Sequence, residues 1–189
     1  TVEDFALIKI IDEIIDVAES SQTGKVTIIG HSNGGLVGKL LISKLVEQGK
    51  EDLVDKFIMV ATPQLGTPKA VAALLHGDEQ LIPEKFGIIM SRSMAVSFGE
   101  NMPGAYTLLP TEKYFSKITD PVIEFDSEVS AIYDFQSIYG NSIDSKSELN
   151  NFLLGDSGLR LEPSVFDTDS PNVLDNNLLS ESNIIQNTL

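Results

Sequence analysis

The stretch VTIIGHSNGGLVGKLL, residues 26–41, decides how this chain folds. Val26-Thr27-Ile28-Ile29 is a β-branched run bounded by Gly24 and Gly30, the pattern of a short strand buried on both faces. Beyond Gly34, residues Leu36, Leu40, Leu41, Ile42, Leu45 and Val46 recur mainly at helical spacing as far as Gly49, so a helix follows at once. Ser32 lies in the turn, with Gly30 and Gly34 two places to either side. A strand that becomes a helix within two or three residues strains the backbone at the apex. It also brings the flanking chain so close that a β-carbon would clash. Gly30 and Gly34 are the residues expected to relieve that crowding. The Ser32 hydroxyl is then predicted to stand exposed at a helix N-terminus, where free N–H groups and the positive dipole end stabilise an anionic oxygen. The N–H of Asn33 is the first expected donor, with Gly34 next to it.

Working outward, VEDFALIKIIDEIIDVAE over residues 2–19 repeats apolar side chains at Phe5, Ile8, Ile11, Ile15 and Ala18. A second row runs through Leu7, Ile14 and Val17, which predicts a helix with a wide buried stripe. SSQTGK is the turn out of it. After the elbow helix, Lys56-Phe57-Ile58-Met59-Val60-Ala61 reads as another buried strand, with TPQLGTP as its turn. Helix, strand, helix and strand with short links make a β-α-β crossover, and hence a parallel sheet with helices on its faces. Ser32 falls at the carboxyl end of a parallel strand, where ligands bind in open α/β sheets.

Composition bounds the function. The 189 residues are 42% apolar and 22% charged, enough for a sizeable core in about one domain. No apolar run reaches the roughly 18 to 20 residues of a membrane span, and residues 1–20 lack the basic-then-apolar pattern of a signal peptide. Thr1 is an unusual natural start, so the chain is expected to be a piece of a longer protein. Without cysteine there is no disulfide or thiolate chemistry, and the compartment stays open. Residues 1–118 hold 15 acidic against 11 basic side chains, net −4, and residues 119–189 hold 13 against 2, net −11. A surface of net charge −15 repels phosphate backbones, so no nucleic-acid partner is expected. From Asn150 on, the chain is rich in Asn, Ser and Asp with scattered Leu, Val and Ile, and the segment reads as a loop-rich extension with short elements. DTDSPNVLD, residues 167–175, alternates oxygen ligands as calcium sites do. It lacks the central glycine and terminal glutamate of an EF-hand loop and reads as a solvated loop, so no metal site is expected.

A strand before GHSNGG and a helix after it supply the structural context that a G-x-S-x-G nucleophile turn requires. With that context, the stretch resembles the nucleophile elbow of the α/β-hydrolase superfamily, and GHSNGG is similar to the GHSxGG of lipases and esterases. MVATPQLGTPKA at 59–70 and PGAYTLLPTEKYF at 103–115 resemble phrases of its lecithin:cholesterol acyltransferase-like and PGAP-type inositol-deacylase branch. The three phrases cover roughly residues 25–115. The resemblance implies an α/β fold, here part of an α/β-hydrolase with a parallel sheet, flanking helices and a helical cap. The core segment would be 1–118, with the elbow at 25–48 and the cap at 66–102, and 119–189 would be an acidic, loop-rich part of the same domain. It implies a serine esterase, lipase or acyltransferase acting on an ester or lipid, with Ser32 as nucleophile and no cofactor. Its cap, AVAALLHGDEQLIPEKFGIIMSRSMAVSFGENM, carries Leu74, Leu75, Leu81, Ile82, Phe86, Ile88, Ile89, Met90, Met94, Val96 and Phe98. Such residues can form an adaptable acyl pocket or simply pack the cap.

The sequence departs from that pattern where protons are handled. A serine hydrolase needs a base for the serine proton and an acid to hold the base, in the order serine, acid, histidine in this superfamily. His31 and His76 are the only histidines. His31 reads as a packing residue supporting the elbow, and His76 as the end of a cap helix, the weaker candidate base, because an acid in the expected order before it would have to lie within the strand and turn that precede the cap. Asp126, after Val122-Ile123-Glu124-Phe125, is the candidate acid, with Asp134 and Asp144 as rivals. The base, and with it the acid, is therefore expected outside these residues. The remainder of the hydrolase domain or another chain is expected to complete the sheet. The competing reading is a non-catalytic binding or assembly domain of the same fold.

Overall fold

The computed structural model of the chain describes residues 2–77, 91–126, 135–155, 163 and 170–188. They form two compact units, Thr1–Gln64 and Leu65–Thr188.

In the first unit, α1 (Val2–Ser20) leads into β1 (Val26–His31), α2 (Asn33–Glu47), a 3-10 turn (Glu51–Leu53) and β2 (Val54–Val60). β1 and β2 are parallel neighbours, with Ile28 opposite Phe57, Gly30 opposite Met59 and His31 opposite Val60. This is the crossover that the apolar pattern implied. Helix α2 ends as its sequence directs. Gly49 takes φ +64°, Gly49 N–H donates to Val46 O and Lys50 N–H donates to Leu45 O, which together satisfy the last carbonyls. The core packs Ile11 and Ile14 of α1 against Leu41 and Leu45 of α2, with Val26, Ile28 and Val54 from the strands.

Two expectations about burial are corrected here. The stripe on α1 is narrower than its apolar rows, because Ile8 is 55% and Val17 is 51% exposed. The strands are not buried on both faces either, since Ile29 is 68% exposed and Ile58 and Val60 are also exposed. The cause is the pleat: Val26 and Ile28 face the helices, so Ile29 and its neighbours face away. Among the described residues this sheet has two strands.

In the second unit, α3 (Pro68–His76), α4 (Arg92–Gly99), α5 (Pro103–Tyr106) and α6 (Glu112–Phe115) precede β3 (Ile123–Glu124). Then come α7 (Phe135–Tyr139), β4 (Ser142–Ile143), α8 (Lys146–Leu154) and α9 (Asn176–Thr188). The strand expected at 122–125 is a two-residue ladder, antiparallel to β4. Val71, Leu74, Tyr106, Leu109, Ile143, Leu149, Phe152 and Leu179 build the core. Of the cap residues named from sequence, Leu81, Ile82, Phe86, Ile88, Ile89 and Met90 lie outside the described residues, as does Asp134.

The TPQLGTP and YTLLPT phrases belong together physically. Thr67 N–H donates to Leu108 O at 2.8 Å, Thr111 N–H donates to Leu65 O at 2.9 Å, and the Thr111 hydroxyl donates to the same carbonyl at 3.1 Å. Gly66 bridges them at φ +82°, where a β-carbon would lie 2.7 Å from Pro110 Cα. Two later helices complete the hub: Gln186 Nε2 donates to Thr107 O and Leu109 O, and Lys146 Nζ donates to Pro110 O at 2.9 Å. Within the stretch read as loop-rich, α9 is a helix of 13 residues. Its Asn and Ser residues hid it from a propensity reading, yet Leu179 and Ser182 are buried and Gln186 bonds the hub.

Candidate active site

Ser32 occupies the single residue between β1 and α2. Its backbone is at φ 53°, ψ −128°, a conformation that L-residues avoid. Three constraints hold it there. Ser32 N–H donates to Val60 O at 2.9 Å, which ties the turn to the neighbouring strand. Ser32 O accepts from Gly35 N–H at 3.0 Å, which starts the helix immediately. Gly30 lies so close beneath that an added β-carbon would be 2.7 Å from both Gly34 O and Gly35 Cα.

Position Gly34 behaves differently from its sequence reading. A β-carbon there would meet nothing within 4 Å, whereas one on Gly35 would lie 2.6 Å from Thr62 Cγ2 and 2.7 Å from Thr62 Cβ and would overlap the Thr62 hydroxyl. The second steric glycine of the turn is therefore Gly35. One turn on, a β-carbon at Gly38 would be 2.6 Å from Cε2 and Cζ of Phe57. Gly35 and Gly38 thus form a smooth strip that seats α2 directly on Phe57 of β2 and on Thr62 just beyond it. Neither Thr62 nor Gly35 was picked out from sequence, since the approach joins two segments and only the GG doublet hinted at it.

The Ser32 side chain is exposed and makes no capping bond to α2. Its counterparts act otherwise: Thr67, Ser91, Thr111 and Ser145 each accept an N–H from the first turn of their own helices. The hydroxyl at Ser32 is left available at the helix start. Asn33 and Gly34 open α2, so their N–H groups have no carbonyl one turn back inside the helix. No acidic side chain occupies that first turn, and the dipole end is not neutralised there. His31, read as a packing residue, is exposed. As the last residue of β1 it is held through backbone pairing with Val60 rather than through its ring.

The other two candidates belong to the second unit. His76 is the last residue of α3, half-buried ahead of the left-handed Gly77. Asp126 is exposed, two residues after β3. Among the described residues, no three acidic or histidine side chains converge as a metal site would require, and no helix is long and apolar enough to cross a membrane.

A parallel β-α-β unit with a serine of strained backbone at the strand-to-helix junction is an arrangement that an α/β-hydrolase type of protein requires. The lecithin:cholesterol acyltransferase family model matches residues 6–157, and the chain belongs to that family. No curated protein and no solved structure matches the chain. The family gives the α/β-hydrolase fold and an esterase or acyltransferase type of enzyme.

Proposed function

We propose that Ser32 is the nucleophile of an ester-cleaving or acyl-transferring reaction on a lipid-like carboxylic ester. The backbone of Ser32 carries this reading: φ 53°, ψ −128° at the carboxyl end of a parallel strand, with the hydroxyl exposed and unused as a cap. In the reaction, Ser32 Oγ bonds to the ester carbonyl carbon while a base takes its proton. The carbonyl oxygen becomes an oxyanion beside the Asn33 and Gly34 N–H groups, and the carbon–oxygen bond to the alcohol breaks as that proton reaches the leaving oxygen. Water or a second alcohol then releases the acyl group. The base and its acid come from outside these 189 residues, since His31 precedes Ser32 in the chain, His76 precedes Asp126, and no histidine follows residue 76. The exposed apolar face of Ile29, Ile58 and Val60 supports the further reading that the remainder of the domain packs a layer over this sheet.

Treating the parent protein with a fluorophosphonate probe, alongside Ser32→Ala, tests the assignment. Loss of labelling in the variant is expected. Equal labelling would remove Ser32 as nucleophile and leave the binding or assembly domain as the standing account.

A further inference from the structure

We propose that Thr62 is a positioning residue of the elbow, a wedge that sets where the first turn of α2 rests. The inference depends on Ser32 being the nucleophile for its catalytic consequence, but not for its geometry. Strand β2 runs beside the elbow to its end, where Val60 O holds Ser32 N–H. Ala61 then takes φ 49°, the second non-glycine residue with positive φ among the described residues. The side chain of Thr62 comes to rest against the Gly35 backbone, close enough that no β-carbon fits between them.

Shape, not hydrogen bonding, holds Thr62 in this place. Its Oγ1 is buried and has no partner among the described residues. Leaving a buried hydroxyl unsatisfied costs roughly 1–3 kcal/mol, so the hydroxyl itself does not stabilise the arrangement. A β-branched side chain is stiff at χ1 and presents two γ atoms in fixed directions. Gly30 grips the same turn from the β1 side, against Gly34 O and Gly35 Cα. The turn that carries the Asn33 and Gly34 N–H groups is thereby confined between β1 and Thr62. Displacing it by a fraction of an ångström moves both donors relative to Ser32 Oγ.

The test uses the full chain, labelled with nitrogen-15, as wild type, Thr62→Val and Thr62→Ala. Two quantities are read: the amide resonances of Asn33, Gly34 and Gly35, and the rate of fluorophosphonate modification at Ser32 in the parent protein. Valine keeps both γ positions, so the three amides stay in place and the labelling rate stays within about twofold. Alanine removes both, so those amides shift while the α1 amides do not. Labelling then slows about tenfold in its maximal rate at unchanged probe affinity, the scale set by a sub-ångström misplacement. Unmoved amides in Thr62→Ala would overturn the proposal. Equal shifts in Thr62→Val and Thr62→Ala would also overturn it, by assigning the role to the hydroxyl. Shifted amides in a protein never labelled at Ser32 would uphold the wedge and remove only the nucleophile.

Discussion

Replacing each glycine of the GG doublet separately by alanine separates crowding from mere sequence motif. At Gly34 an added methyl meets nothing within 4 Å, and the residue lies inside α2. Alanine there gains helix propensity, so Gly34→Ala should stabilise by about 0.5–1 kcal/mol. At Gly35 the same gain is opposed by overlap with Thr62, whose Cγ2 and Cβ would be 2.6 and 2.7 Å away. Thr62 cannot yield by rotation alone, because its Cβ is among the atoms struck. Overpacking of this kind costs roughly 1–3 kcal/mol, which leaves Gly35→Ala destabilised by about 1–2 kcal/mol. With no tryptophan in the chain, urea unfolding followed by circular dichroism is the suitable assay. Adding Thr62→Ala to Gly35→Ala removes two of the three struck atoms and should recover at least about 0.5 kcal/mol beyond additivity. A Gly35→Ala protein as stable as Gly34→Ala would refute the packing argument, as would strictly additive behaviour in the double variant.

The strained Ser32 backbone predicts a trade of stability for reactivity: Ser32→Gly should raise stability by about 1 kcal/mol while abolishing probe labelling. A measured loss of stability would mean that the conformation is not strained. Lys146 supplies a pH signature. Its amine is buried and bonded to Pro110 O, and desolvation lowers its pKa to about 8, against a partial opposing effect from Glu112. The unfolded chain therefore binds this proton more tightly, and stability should rise with pH between about 8 and 10.5 by at most about 3 kcal/mol. The advantage of Lys146→Met over wild type should shrink across that window in urea unfolding. An advantage independent of pH would count against the buried cation.

By itself the sequence determined the local elements and their order, because these rest on short-range physics. The β-branched run at 26–29, the apolar spacing of α2 and the Gly49 stop are legible within one turn or one strand. So is the need for a serine between them to adopt an unusual backbone, since β1 ends one residue before that serine and α2 begins one residue after it. Only the tertiary structure decided which glycine is sterically required, because the atom that excludes a side chain at Gly35 belongs to Thr62, 27 positions further along the chain. It likewise decided the exposure of Ile29 and His31, which follows from how many strands and helices pack beside β1 and not from the residues themselves. The pairing of the TPQLGTP and YTLLPT phrases is of the same kind: each reads as a separate turn, and backbone hydrogen bonds across some forty residues make them one structure.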